Sequence, residues 1–122
     1  MRIFVVDDEK GIRLLLTEVF KRMGHDVLSF ENMNDTLQEV RVNQPDLLFV
    51  DFMIGEHSGD KLIKQLREEE YLIPAIIMSG RAKSEIKKFF SDINFIYFLE
   101  KPFTINEVEE LLKSISKNVV RA

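Results

Sequence analysis

The stretch Leu47-Leu48-Phe49-Val50-Asp51 decides how this chain is read. Four apolar residues in succession, with no polar alternation, suit a strand buried on both faces, as in a parallel sheet covered by helices on either side. The run stops on a carboxylate, and three other runs stop in a related way. Ile3 to Val6 ends on Asp7 and Asp8, Ala75 to Met78 on Ser79, and Phe95 to Leu99 on Glu100, Lys101 and Pro102. Parallel strands bring their carboxyl ends to one edge of a sheet, where open α/β folds place their ligands. Three carboxylates, a hydroxyl and an ammonium would then share one crevice.

Between these runs lie segments of helical period. Ile12, Leu15, Leu16, Val19, Phe20 and Met23 recur on one face of a first helix, which Gly24 stops. Val27, Leu28 and Phe30 read as a short second strand, and Leu37 with Val40 marks a weaker helix that ends before Pro45. After Asp51 the spacing predicts a loop over Ile54 to Gly59, then a helix with Leu62, Ile63 and Leu66 inward and Pro74 before the next strand. Ser84 is the expected cap of a short helix carrying Ile86, Phe89 and Phe90. Thr104 is the expected cap of a last helix carrying Ile105, Val108, Leu111, Leu112 and Ile115. Five βα units fill one α/β domain over residues 1–122, a doubly wound sheet with right-handed crossovers. Asn118 to Ala122 is the expected tail, or the start of a linker.

Composition narrows the function classes. With 122 residues, 45% apolar and 31% charged, the chain can bury a core and is not disordered. A net charge of −4 argues against direct binding of nucleic acid by this domain, which needs a basic face. The absence of cysteine excludes disulfides and thiolate metal sites. Apolar runs of strand length, broken by Asp7, Asp8 and Glu9, fit neither a membrane span nor a signal peptide. A cytoplasmic domain without membrane attachment is the expectation.

Each strand-end residue alone has an ordinary explanation as a solvated acid, a turn or a surface lysine. Together they are more specific. Carboxylates brought close repel and favour protonation unless a cation joins them, and a hard oxygen-binding ion such as Mg²⁺ resolves the conflict with few protein ligands. Lys101 can pair with Asp51 or with a phosphoryl oxygen held by it, and Ser79 with Gly80 pairs a hydroxyl donor with room for a tetrahedral anion.

Asp7 and Asp8, Asp51, Ser79 with Gly80, and Lys101-Pro102-Phe103 resemble, in order and spacing, the motifs of the response-regulator receiver domains of two-component signalling, across essentially the whole chain. The resemblance implies the flavodoxin-like strand order 2-1-3-4-5. It implies that Asp51 accepts a phosphoryl group from a kinase phosphohistidine, or from a small phosphodonor, to form an acyl phosphate. Asp8 would be the more direct ligand of Mg²⁺, for which Mn²⁺ can substitute, and Asp7 would act mainly through water, joined by Asp51 and the backbone carbonyl of Met53. Ser79 and Phe98 would be the switch residues, and the Lys101–Pro102 bond is expected to be cis. The implied partners are a histidine kinase or phosphotransfer protein and a downstream partner or effector domain, met through the fourth helix, fifth strand and fifth helix, with a phosphorylation-dependent dimer as one expected form. Self-phosphorylation and its reversal are the only reactions the resemblance implies.

The pattern also departs from the family. Gly55 stands where proline is frequent and Ser58 where aspartate is frequent, so the loop after Asp51 is expected to be more mobile. Met53, Gly80 and Arg81 are the expected tuners of acyl-phosphate lifetime. His57 reads as a solvated loop histidine, His25 as a strand-leading residue with no visible partner, and Phe89 with Phe90 as core. Three alternatives compete. A flavin-binding module would not begin its phosphate loop with Asp7, Asp8 and Glu9; an aspartyl-phosphate hydrolase would show an acid where Met53 stands; a docking module that is not phosphorylated would have no need of the complete set.

Overall fold

The computed structural model describes residues 1–119. Strands and helices alternate: β1 (Arg2–Val6), α1 (Lys10–Arg22), β2 (Asp26–Phe30), α2 (Met33–Val42), β3 (Leu47–Asp51), α3 (Gly59–Glu68), β4 (Ala75–Ser79), α4 (Lys83–Ile86), β5 (Ile96–Glu100) and α5 (Ile105–Val119). The five strands form one parallel sheet in the order 2-1-3-4-5, the flavodoxin-like arrangement. All five residues of β3 and of β4 are buried, as their unbroken apolar runs require.

Period-two alternation divides the core into two layers. Ile3, Val5, Leu47, Phe49, Ile76 and Met78 face α1 and α5, meeting Leu16, Val19, Phe20, Val108, Leu112 and Ile115. Phe4, Val6, Leu48, Val50, Ala75 and Ile77 face the other way, against Leu37, Val40, Leu62, Ile63, Leu66, Ile86 and Phe90. Both faces of the central strands β1, β3 and β4 are therefore dry. No helix among the described residues is long and apolar enough to cross a membrane.

Several expectations need correction. The segment after Asp51 is more ordered than a loop, because Met53–Ile54 pairs antiparallel with His57–Ser58 around Gly55, whose φ of +61° suits a residue without a side chain. Gly59 already belongs to α3. Ser84 lies inside α4, not at its cap; Ala82 holds the cap position and offers no side-chain acceptor, so the Glu100 carboxylate from β5 takes the Lys83 amide at 3.1 Å. The helix lasts four residues and tightens into a 3₁₀ turn over Lys87–Phe90. Leu15 and Ile105 fit the helical period yet remain exposed. Phe90 is core, whereas Phe89 stays 37% exposed. His25 does have a partner, since its Nδ1 lies 2.9 Å from the Met1 ammonium. Asn118 and Val119 continue α5, and the rest of the expected tail lies outside the described residues.

Thr104 caps α5 as expected: its hydroxyl accepts the Glu107 amide at 3.1 Å while Glu107 accepts the Thr104 amide at 3.0 Å. At the other end of the architecture, α3 starts hard against β3. A Cβ at Gly59 would lie 2.7 Å from the Asp51 carbonyl oxygen and 3.3 Å from the Phe52 Cα, and the Gly59 amide donates to the Phe52 carbonyl. Gly59→Ala is expected to destabilise the fold by about 1–3 kcal/mol, since backbone must move to admit the methyl group. Urea unfolding measures this, and an unchanged midpoint would mean that the two elements do not approach so closely.

Candidate functional site

Register builds the site. Val6 of β1 is level with Val50 of β3, so Asp7 and Asp51 are the next residues along two adjacent parallel strands. Alternation turns both toward the same side of the sheet, and Asp8 follows at the exit of β1. Each of Asp7, Asp8 and Asp51 offers a carboxylate oxygen within 4.8 Å of the others. The cluster is all oxygen, with no imidazole or thiolate, which fits a hard divalent cation.

Asp7 is fully buried and Asp51 nearly so, while Asp8 is open to solvent. Asp7 is held from several directions. One carboxylate oxygen accepts the Glu9 amide at 2.9 Å, the other accepts Lys101 Nζ at 3.1 Å, and its carbonyl accepts the Arg13 guanidinium at 2.7 Å. Asp8 accepts the Gly55 amide at 3.1 Å, which ties the exit of β1 to the turn after β3.

Lys101 reaches this cluster from the end of β5, and the Lys101–Pro102 bond that follows it is cis, as expected. Its ammonium lies 3.1 Å from Asp7, 3.4 Å from Glu9 and 3.5 Å from Asp51. Burial alone would lower the Lys101 pKa, but the Asp51 and Asp7 carboxylates more than reverse this and hold it above its ordinary value. The Asp51 pKa is raised as well, which for an acid disfavours the charged form. Burial, reinforced by the Asp7 charge, pushes its carboxyl up to about 6 against the opposing pull of Lys101. One ammonium does not balance three carboxylates.

Ser79 ends β4 beside Glu100 and is buried, its Oγ accepting the Arg81 amide at 2.9 Å. Gly80 is exposed, and a Cβ there would meet nothing within 4 Å. Met53 is 44% exposed at the start of the short ladder, and Arg81 is exposed as well. Phe98 is partly buried, edge-on to Phe90 at 5.8 Å and beneath the Lys83 ammonium at 5.6 Å. His57 is exposed on the second strand of the short ladder. Two contributors escaped the sequence reading in these roles. Glu9 was visible only as a third adjacent acid, and Arg13 is drawn back to Asp7 by the first turn of α1.

Residues 3–113 match the response regulator receiver domain family. The alkaline phosphatase synthesis transcriptional regulatory protein PhoP of Bacillus subtilis (strain 168) is 29% identical over 114 residues, covering 93% of this chain and 48% of that one. Sporulation initiation phosphotransferase F of the same organism is 30% identical over 112 residues, covering 92% of this chain and 90% of its own length. The chain thus spans about half of the first relative and most of the second. Among solved structures, the receiver domain of the Francisella response regulator 1452 superposes with a TM-score of 0.83 at 26% identity, covering 98% of both chains. Fold, acidic crevice and similarity run together along almost the whole sequence, and this chain belongs to the response regulator receiver domain family.

Proposed function

We propose that the chain is a phosphorylation switch in which Asp51 accepts a phosphoryl group from the phosphohistidine of a sensor kinase or phosphotransfer protein. The observation that carries this reading is the cluster of Asp7, Asp8 and Asp51, with oxygens within 4.8 Å of one another. Family membership implies a kinase or phosphotransfer protein on the donor side and a downstream effector on the other. The finer assignment of the α4-β5-α5 face to that effector, a dimer formed on phosphorylation and a cytoplasmic location follow from the same reading.

Asp7, Asp8 and Asp51, with the Met53 backbone carbonyl, would hold Mg²⁺ or Mn²⁺. Bound there, the ion would supply positive charge to the carboxylates and to the phosphoryl oxygens. An Asp51 oxygen bonds to phosphorus in line with the donor nitrogen, the P–N bond breaks, and the imidazole departs with the electron pair. Lys101 would pair with a phosphoryl oxygen in exchange for part of its hold on Asp51. Ser79 turns its hydroxyl from the Arg81 amide to donate to another. A protein donor approaches over the rim where Ile12, Leu15, Pro102 and Phe103 line a groove beside Lys101 and Glu9. Phe98, between Phe90 and Lys83, would then repack as β5 and α4 adjust.

Incubation with Mg²⁺ and acetyl phosphate should add one phosphoryl mass to the wild type and none to Asp51→Asn. Intact mass spectrometry reads the outcome, and no gain at any Mg²⁺ concentration would favour the docking module.

The raised Asp51 pKa has a signed consequence for stability. Above pH 6 the folded chain carries a carboxylate that the unfolded chain, with a value near 4, accommodates better. The roughly two-unit difference corresponds to about 3 kcal/mol at most. That cost is fully present above pH 6 and is relieved as pH falls from 6 toward 4. In metal-free buffer at pH 7.5, Asp51→Asn is therefore expected to be more stable than wild type by about 1–3 kcal/mol, with the gap closing toward pH 4. Added Mg²⁺ should stabilise wild type and leave the variant nearly unchanged. Urea titrations across pH decide this, and a variant no more stable than wild type at pH 7.5 would remove the electrostatic argument.

A further inference from the structure

The edge of the sheet opposite Asp51 carries a groove that the phosphorylation chemistry does not use. Residues 69–74 lead into β4 and residues 91–95 into β5, so both loops lie where the parallel strands begin, while Asp51 and Ser79 lie where they end. Arg67, Glu68, Leu72, Asp92, Ile93 and Phe95 line a groove of about 390 Å³ between those loops and the end of α3. Leu72 is 66% exposed and Phe95 55%, an apolar pair left in water beside that hollow. Phe95 also holds φ at +62°, in the left-handed region where a bulky side chain is strained. Its ring is not buried in return. The backbone around it is pinned instead: the Arg67 guanidinium donates to the Tyr71 carbonyl at 3.0 Å and to the Asn94 carbonyl at 3.1 Å, and the Phe95 carbonyl accepts the Ala75 amide at 3.0 Å.

The charges of the groove are not matched within one chain. Arg67 donates to carbonyl oxygens, and burial pulls its pKa below the ordinary arginine value. Neither Arg67 nor Glu68 nor Asp92 forms an ion pair among the described residues. Lys64, the other cation on the rim, is held by Asp60 at 3.0 Å. Two cations, two acids, an exposed ring and a hollow able to receive one make this face complementary to itself across a two-fold axis. The chain as a whole carries −4, so two copies repel on average, whereas this groove is neutral. We propose that the groove is a contact between two copies of this chain, in which Phe95 of each copy enters the groove of the other beside Leu72 and Ile93, and Arg67 of each meets Asp92 or Glu68 of the other. Such a contact belongs to the small, weakly associating class of interface. It leaves both Asp51 sites open at the far edges of the pair. It is therefore independent of phosphorylation, unlike a dimer on the α4-β5-α5 face.

Sedimentation equilibrium of the unmodified full chain, from about 1 μM to 1 mM, reads the association. The average mass is expected to rise from one copy toward two and to stop there. Phe95→Gly removes the ring and suits the left-handed backbone, so the chain keeps its fold while the dimer weakens by about tenfold or more. Asp92→Lys lowers the net negative charge, which would strengthen any non-specific association. The proposed contact should instead weaken by about tenfold, because Arg67 then faces a cation. Asp26→Lys, at an exposed position on β2 outside the groove, makes the same change of charge and should not weaken the dimer. Asp51→Asn should associate as the wild type does, so failure of the phosphoacceptor reading leaves this outcome untouched. A chain that stays monomeric throughout, that associates only after phosphorylation, or that pairs equally well with Asp92→Lys or Phe95→Gly would overturn the proposal. Asp92 is exposed, so its replacement carries the test even where the Phe95 variant is poorly folded.

Discussion

Repulsion among carboxylates is the constraint around which this molecule is organised. Asp7, Asp8 and Asp51 sit within 4.8 Å because β1 and β3 are in register, and that register is enforced by apolar packing on both faces of the sheet. The hydrophobic core thus holds together charges that would separate if free. Lys101 relieves part of the strain, and burial with the Asp7 charge still pushes the Asp51 carboxyl up to about 6. A site prepared in this way has a standing demand for positive charge. In the proposed function that demand is met first by a divalent cation and then shared with a phosphoryl group.

The elements that position the site were legible because their signals are strong and redundant. Unbroken apolar runs marked β3 and β4 as doubly covered strands, and the residues following each run were the ones the fold gathers at one edge. The Thr104 cap was legible for a local reason, since both partners of the capping box lie three residues apart. The parts that were misread depend on residues distant in sequence. Ser84 has the chemistry of a cap, yet the helix starts earlier because Glu100 reaches across from β5 to take the Lys83 amide. Leu15 and Ile105 obey the helical period but fall at its margin, where no neighbouring element covers them.

The site shows the same division. Carboxylates and the lysine could be identified from strand ends, because parallel topology fixes where strand ends go. The supporting contacts could not: Arg13 to the Asp7 carbonyl, the Gly55 amide to Asp8, and Glu9 to Lys101 each depend on how one turn bends. A lone residue type in a loop carries no such information. The aromatic cluster of Phe52, Phe89, Phe90 and Phe98 is intermediate. Its members stood out as phenylalanines, but spacing alone made Phe89 and Phe90 equivalent, and only the 3₁₀ turn separates a buried ring from one that stays at the surface.

Alternation along β3 makes Asp51 and Phe52 consecutive in sequence and opposite in direction. The acid faces the layer of α1 and α5; the ring faces the layer of α3 and α4. A single peptide unit is thus a pivot between two compartments with no shared side chains, one wet and charged, the other dry. A change in charge state on one side has a direct route to the other through that backbone and the Met78 carbonyl bonded to it. Inserting or deleting one residue at this point would exchange the two roles, sending the ring into the crevice and the acid into the core. The length of the β3 run is therefore as much a part of the chemistry as the identity of its last residue.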